Sequence, residues 1–77
     1  MLDLAERLAR RLLTLTEESG VPKIRITQAQ LGAPLGVTRE AVNKQLRAFE
    51  HAGVVETGRG SVTVIDTAAL ARAGSVG

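Results

Sequence analysis

The sequence predicts a mainly helical α+β domain, in which a core of three helices is followed by a β-hairpin. Apolar residues recur at helical spacing in segments that begin at residues 2, 27 and 38. Two β-branched runs between residues 54 and 65 then flank a Gly-Arg-Gly-Ser stretch, which is typical of a hairpin. A chain of 77 residues has room for one small domain.

The composition narrows the class of protein. Cysteine is absent, which excludes disulfides and cysteine-ligated metal centres within these residues. Phe49 is the only aromatic residue, so the chain offers no stacking platform for single-stranded nucleic acid. The apolar segments are too short to span a bilayer, and Met1 is not followed by a signal-peptide pattern. We therefore expect a cytoplasmic domain that has no cofactor and no membrane partner.

The charge balance is a weak indication of nucleic acid. The formal net charge is only +2, although the sequence pI is about 9.9. Between Arg39 and Arg59 there are four cationic residues against three acidic ones, Glu40, Glu50 and Glu56. Composition alone would favour an ordinary mixed surface, so the function has to be argued from the positions of these side chains.

The first helix is predicted over residues 2–19. Its apolar side is marked by a repeat at helical spacing, formed by Leu4, Leu8, Leu12 and Leu15. Ser19-Gly20, followed by Val21-Pro22, ends it. Three arginines are expected to form a solvated face of this helix: Arg7, Arg10 and Arg11.

A helix-turn-helix is predicted over residues 27–52. The alternating segment Lys23–Thr27 reads as a short strand, and Thr27 with Gln30 has the spacing of a capping box for the next helix. Pro34 and Gly36 keep that helix short, and Gly36 suits a left-handed turn.

Thr38 is a good N-cap for the third helix, which is expected to end near Ala52. Because Gly32 has no side chain, the second and third helices are expected to approach closely there. Residues 54–65 are predicted to form the hairpin, and residues 67–73 a short final helix capped by Asp66 or Thr67. A helix-turn-helix followed by a hairpin is a winged helix, and the predicted domain spans residues 1–77.

The outer face of the third helix carries the functional hypothesis. A helix fits the major groove of DNA, where base edges present distinct donors and acceptors to side chains from its N-terminal half. Four side chains there are predicted to contact bases: Arg39, Glu40, Asn43 and Lys44. Phosphates repel a carboxylate, so Glu40 favours sequence reading, although an acid in the first turn also stabilises the helix dipole. Thr38 and Arg47 are expected to meet phosphates.

The stretch ITQAQLGAPLGVTREAVNKQLRAFEHAGVVETGRGSVTVID resembles the C-terminal DNA-binding domain of the Crp/Fnr family of bacterial transcription regulators. In that family an Arg-Glu pair opens the recognition helix, and a basic residue four positions after the Glu contacts bases. Arg39, Glu40 and Lys44 occupy those places, with Lys44 where the cyclic-AMP receptor branch has arginine. The resemblance implies a half-site similar to TGTGA.

The resemblance also implies contacts and partners beyond the third helix. Thr27, Gln28 and Arg59 stand at positions that contact phosphates in the family. Family members bind a pseudo-palindromic operator in double-stranded DNA as homodimers, and RNA polymerase is a candidate further partner. They also carry an N-terminal effector domain and a dimerisation helix, neither of which is recognisable here. The chain is therefore expected to be a monomeric fragment, with a stand-alone homologue as the other option.

Two other classes of function are weighed against DNA binding. A winged helix can serve as a protein–protein interaction module, but such domains usually present an acidic or apolar third helix, unlike the Arg-Glu-x-x-x-Lys face here. An enzyme is disfavoured, because the chain shows no paired carboxylates, Ser–His–Asp set or metal-ligand spacing.

Overall fold

The computed structural model describes residues 3–74 and contains helices α1 to α4 and strands β1 to β3. The elements follow the order α1 (Leu4–Ser19), β1 (Lys23–Arg25), α2 (Gln28–Gly32), a 3-10 turn (Ala33–Leu35), α3 (Arg39–His51), β2 (Val55–Gly58), β3 (Ser61–Val64) and α4 (Thr67–Ala73). This is the mainly helical winged helix-turn-helix that the sequence predicts.

Helix α1 begins at Leu4, two positions later than predicted. Asp3 is extended and its carboxylate accepts from the amide of Glu6 at 2.9 Å, so it caps the helix instead of joining it. Leu2, which the prediction placed in the helix, lies outside the described residues. Gly20 ends the helix in the left-handed region with φ of 72°, as the Ser-Gly signal predicts.

The arginines of α1 form the predicted solvated face only in part. Arg7 is half-buried and its guanidinium donates to the carbonyl of Leu35, at the helix-turn-helix turn. Arg10 is exposed as predicted, although its Nε donates to the carbonyl of Gly74 at 2.7 Å, just after α4. Arg11 is half-buried, and within residues 3–74 its Nε has no hydrogen-bond partner. The prediction was wrong for Arg7 and Arg11, which the tertiary fold partly covers.

Helix α2 is held at both ends by local chemistry. Its predicted capping box is present: Thr27 Oγ1 accepts from the Gln30 amide at 3.0 Å, and the Thr27 amide donates to Gln30 Oε1 at 2.9 Å. The helix ends at Gly32, and Pro34 lies in the following 3-10 turn, where its missing N–H costs little. Gly36 closes the turn with φ of 69°.

The close approach of α2 and α3 depends on Gly32. A Cβ at this position would lie 2.8 Å from the Val37 carbonyl oxygen and 2.9 Å from Val42 Cγ2. Thr38 then caps α3, since its Oγ1 accepts from the Ala41 amide at 3.2 Å. Both glycine and cap were predicted from the sequence, and both have the predicted role.

The wing belongs to a three-stranded antiparallel sheet of order β1-β3-β2. Strands β2 and β3 form the predicted hairpin, with Arg59 and Gly60 at its tip. Strand β1 ends at Arg25, earlier than the predicted Thr27, and pairs with β3 through Ile24 and Val62. That long-range pairing was not predicted, because three residues carry too weak a pattern to choose a partner.

The core is almost entirely aliphatic. Each of the four helices and three strands contributes at least one buried side chain. The buried residues are Leu8, Ala9, Leu12, Ile24, Leu31, Val42, Leu46, Phe49, Val54, Val55, Val62, Val64 and Leu70. Helix α4 covers one side of α1 by burying Leu70 completely. Within residues 3–74, no helix is long and apolar enough to cross a membrane.

Candidate nucleic-acid interface

Helix α3 presents a polar ridge on the side away from the core. Val42, Leu46 and Phe49 are buried, so the opposite side of this 13-residue helix points outward. Successive residues turn by about 100°, which aligns four side chains along the outermost line: Glu40, Lys44, Arg47 and His51. All four are exposed. Glu40 and Lys44, two of the predicted base contacts, therefore lie next to each other on the outermost line of α3.

Arg39 lies on the flank of this ridge that faces the wing. It is exposed and lines a groove of about 400 Å³ together with the N-terminus of α2 and the hairpin tip. Three predicted phosphate contacts line the same groove: Thr27, Gln28 and Arg59. The fold thus brings together side chains that are separated by up to 32 positions in the chain, from Thr27 to Arg59.

The capping residues keep one hydrogen-bonding function free. The hydroxyl oxygens of Thr27 and Thr38 accept from backbone amides within their own helix caps. Each hydroxyl hydrogen remains available as a donor, because capping uses only the oxygen lone pair. Both residues are exposed, so each could donate to an anionic oxygen without disturbing its cap.

Asn43 and Gln28, both predicted to contact DNA, are bonded to each other. Gln28 Nε2 donates to Asn43 Oδ1 at 3.2 Å across the α2–α3 contact, and both side chains are half-buried. Bidentate reading of adenine by asparagine uses the side-chain oxygen as acceptor and the amide as donor. In Asn43 that oxygen already accepts from Gln28. Sequence patterns could not show this bond, because it joins residues 15 positions apart.

A second groove of about 550 Å³ separates the C-terminal half of α3 from β2, and Arg47, Glu50 and Thr57 line it. One carboxylate oxygen of Glu50, Oε2, accepts from the Thr57 amide at 3.2 Å and from its Oγ1 at 3.1 Å. Sequence reasoning did not single out Glu50. An available signal was its place in the last turn of α3, where the helix dipole disfavours an acid.

The interface consists of exposed groups. Within residues 3–74, no polar or charged residue is buried, and no group of three histidine, cysteine or acidic side chains could hold a metal ion. The predicted site residues are all exposed, apart from the half-buried pair Gln28 and Asn43. A rigid aliphatic core thus supports a surface of long hydrogen-bonding side chains.

The sequence matches the model of the Crp-like helix-turn-helix domain over residues 6–73. The chain belongs to this family. The match includes most of α1, the helix-turn-helix, the wing and all of α4, so the family likeness extends over nearly the whole described fold. Domains of the Crp family bind DNA in transcription regulation, and its members are regulators and not enzymes.

Relatives of known sequence and structure agree with this assignment. The CRP-like cAMP-activated global transcriptional regulator of Mycobacterium tuberculosis is 35% identical over 91% of the chain. A transcriptional regulator of the crp/fnr family from Eubacterium rectale superposes with a TM-score of 0.91 at 32% identity over 94% of the chain. The catabolite activator protein of Thermus thermophilus gives a TM-score of 0.85 at 34% identity over 91% of the chain.

The Crp-like domain spans about a third of these longer proteins. It covers 34% of the mycobacterial regulator, and 33% of each of the two crystallised chains. What the comparisons establish for this chain is therefore its family, its winged helix-turn-helix fold and its DNA-binding class.

Proposed function

We propose that the domain binds double-stranded DNA in a sequence-specific manner, with α3 lying in the major groove. The observation that carries this proposal is the exposed ridge in the N-terminal half of α3, where Glu40 and Lys44 are adjacent and Arg39 flanks them. Base edges in the major groove present different donors and acceptors, so side chains of mixed sign can distinguish them. A carboxylate such as Glu40 is repelled by phosphates, and its place in this ridge favours base reading over simple charge attraction.

Each of the four predicted base-contacting side chains has a chemical role in this proposal. Arg39 would donate with both arms of its guanidinium to O6 and N7 of guanine, and Glu40 would accept from N4 of cytosine. Lys44 would donate to an acceptor of guanine or thymine as a single ammonium. Asn43 would use its amide hydrogens, because its oxygen accepts from Gln28.

The phosphate contacts would come from both sides of α3. Arg59, Thr27 and Gln28 line the groove between the wing and α2, and Thr38 lies at the start of α3. Arg47 continues the ridge by one further turn. Helix α3 has 13 residues and is about 20 Å long, and a groove about 12 Å wide admits such a helix.

Selection from a random duplex library tests sequence specificity. The selected duplex and a scrambled duplex are then titrated with the domain at several salt concentrations. Between two and four cationic contacts predict a slope of log K against log salt of about −2 to −4. Affinity for the selected duplex would then fall roughly 15- to 250-fold between 50 and 200 mM salt. The selected duplex should bind more tightly than the scrambled duplex throughout.

A matched pair of variants assigns the binding to α3. Replacing Arg39, Glu40 and Lys44 together with alanine changes the net charge by −1, as does Arg72→Ala on the remote helix α4. We expect the triple variant to lose its preference for the selected duplex and Arg72→Ala to retain it. Equal behaviour of the two variants would contradict the proposal. A domain that selects no duplex at all would instead fit a protein–protein interaction module.

We further propose that the domain reads one half-site of a pseudo-palindromic operator as part of a cytoplasmic homodimeric regulator, with RNA polymerase as a candidate partner and no cofactor in this domain. Half-sites one helical turn apart require two copies of α3. Alone, the 77-residue chain should sediment as a monomer and bind weakly. Tethering two copies should raise the affinity for a double site by about 10²- to 10⁴-fold. A tight dimer of the untethered chain would contradict this expectation.

A further inference from the structure

Strand β2 is the outer strand of the wing and is open on one side. Within the described residues 3–74, the sheet order β1-β3-β2 leaves β2 paired with β3 alone, so alternate backbone groups of β2 point away from the ladder. The Thr57 amide donates outward to Glu50 Oε2 at 3.2 Å, and the Thr57 hydroxyl donates to the same oxygen at 3.1 Å. This bond joins the last turn of α3 to the middle of the wing.

Electrostatics alone disfavours a carboxylate at Glu50. It lies in the last turn of α3, where the partial charge of the helix end is already negative. It also lies beside a surface that the proposed function places against phosphates. The two hydrogen bonds from Thr57 supply the compensating interaction, since bonds to a charged acceptor are the stronger kind.

Thr57 lies close to the wing tip, so a bond between Thr57 and α3 restrains the position of the tip. Backbone bonds already fix the base of the hairpin, where Ile65 and Asp66 both donate to the carbonyl of Val54. Strand β1 also holds β3 as far as Ser61, on the side of the sheet away from β2. Thr57 lies only two residues before Arg59, on the strand that packs next to α3. Beyond it, Gly58 and Gly60 provide no side chains that could hold the tip against α3.

We infer that Glu50 is a positioning residue that fixes the wing relative to α3, so that Arg59 and the ridge of α3 meet DNA at a set spacing. Its consequence for DNA binding rests on the proposed function. Glu50 itself contacts no base in this arrangement, because its carboxylate points to Thr57. The sequence would otherwise assign this acid to the solvated side of the helix.

Hydrogen exchange in the free 77-residue chain tests the bond without DNA. Glu50→Ala should speed exchange of the Thr57 amide by about 5- to 10-fold, as expected for loss of an exposed charge-assisted bond. Glu50→Gln retains a side-chain carbonyl acceptor and should stay within about twofold of the parent. The control is Glu56→Ala, which removes an exposed carboxylate from β2 itself and should leave the Thr57 amide unchanged. Equal exchange in Glu50→Ala and Glu56→Ala would overturn the inference.

DNA binding then tests what the bond does. Glu50→Ala and Glu56→Ala raise the net charge by the same amount, so charge alone predicts equal gains in affinity. We expect Glu50→Ala to bind the selected duplex about 3- to 10-fold more weakly than Glu56→Ala, and Glu50→Gln to recover most of that difference. In an Arg59→Ala background the difference should disappear, because Glu50 acts through the wing.

The outcomes separate this inference from the proposed function. If the difference between Glu50→Ala and Glu56→Ala persists without the Arg59 side chain, Glu50 does not act by positioning the wing, and the inference fails although DNA binding stands. If the parent chain binds no duplex, the proposed function fails. Exchange of the Thr57 amide still decides in that case whether Glu50 holds the wing.

Discussion

Arg39 differs from the ridge residues because it lies on their flank, where it lines the groove beneath the wing tip. From this position the Arg39 side chain could contact either a guanine edge or a phosphate. The planar guanidinium can serve a base edge with two parallel bonds that depend on its shape, whereas lysine keeps the charge attraction to a phosphate without that fork. Substitutions that keep the charge but change the shape distinguish these two contacts.

Arg39→Ala should weaken binding to the selected duplex by about 1–3 kcal/mol, the range for one bidentate base contact. Arg39→Lys keeps the charge and loses the fork, so it should lose most of the discrimination while binding scrambled DNA normally. Competition titrations with both duplexes measure the two quantities. If Arg39→Ala instead weakened binding to both duplexes equally and left the discrimination unchanged, Arg39 would be a phosphate contact and not a base contact.

Glu40→Ala should relax base preference more than it lowers affinity. The substitution removes an acceptor for cytosine and also removes a charge that phosphates repel, so binding to scrambled DNA should rise. Glu17→Ala on the exposed side of α1 is the matched control, since it changes the net charge equally. A repeated library selection reads out the preference, and an unchanged selected sequence would exclude Glu40 from base reading.

At this scale the sequence predicted which side chains are exposed on α3 better than what each one touches. Arg39, Glu40 and Lys44 are exposed on α3 as predicted. The bond between Gln28 and Asn43 and the two bonds from Thr57 to Glu50 were not predicted. Such contacts depend on how elements pack, and hydrogen-bonding side chains carry no periodic signal that names a distant partner.

The elements themselves follow from local chemistry at their ends. Asp3, Thr27, Thr38 and Asp66 each cap a helix through a side-chain oxygen. Capping rules applied to the sequence predicted the caps at Thr27 and Thr38 and named Asp66 as one of two options, but the predicted first helix included Asp3. The pairing of β1 with β3 and the bonds of Arg7 and Arg10 to distant carbonyls lay beyond those rules. Caps act over three residues, whereas these contacts close loops of 28 residues or more.

Gly32→Ala should destabilise the domain by about 1–3 kcal/mol, because the added Cβ would overlap the Val37 carbonyl oxygen and Val42. Alanine normally stabilises a helix relative to glycine by about 1 kcal/mol, so the expected sign is reversed. Urea unfolding followed by circular dichroism measures the change.

Gly36 provides the contrasting control. A Cβ there meets no atom within 4 Å, and only the positive φ of 69° opposes substitution. Gly36→Ala should cost about 1–2 kcal/mol and Gly36→Asn less, because asparagine tolerates the left-handed region. At Gly32 the larger asparagine should be worse than alanine. The same ranking at both sites would contradict the close approach of α2 and α3.

For the molecule as a whole, stability depends on a small aliphatic core completed by α4. Leu70 of α4 is fully buried in this core, and the only aromatic side chain of the core is that of Phe49. A domain of 77 residues is expected to be stable by about 4–12 kcal/mol, so one core side chain represents a large share. Helix α4 therefore contributes to the fold although it presents no predicted DNA contact.

Leu70→Ala should cost about 2–5 kcal/mol through lost burial and an unfilled cavity. Ile65→Ala is the control, since Ile65 is 56% exposed and its truncation should change the unfolding free energy by less than about 1 kcal/mol. Thermal and urea unfolding measure both. At temperatures where each variant is folded, DNA affinity should match that of the parent. Selective loss of affinity in folded Leu70→Ala would show that α4 influences the interface.

The single ring of Phe49 has a consequence for spectroscopy. Because the chain has no tryptophan or tyrosine, its absorption and fluorescence in the near ultraviolet are very weak. An indole introduced at the exposed Ile65 would be its sole emitter, so one substitution yields a background-free optical reporter. Millisecond mixing experiments could then follow unfolding and refolding in real time without any attached dye.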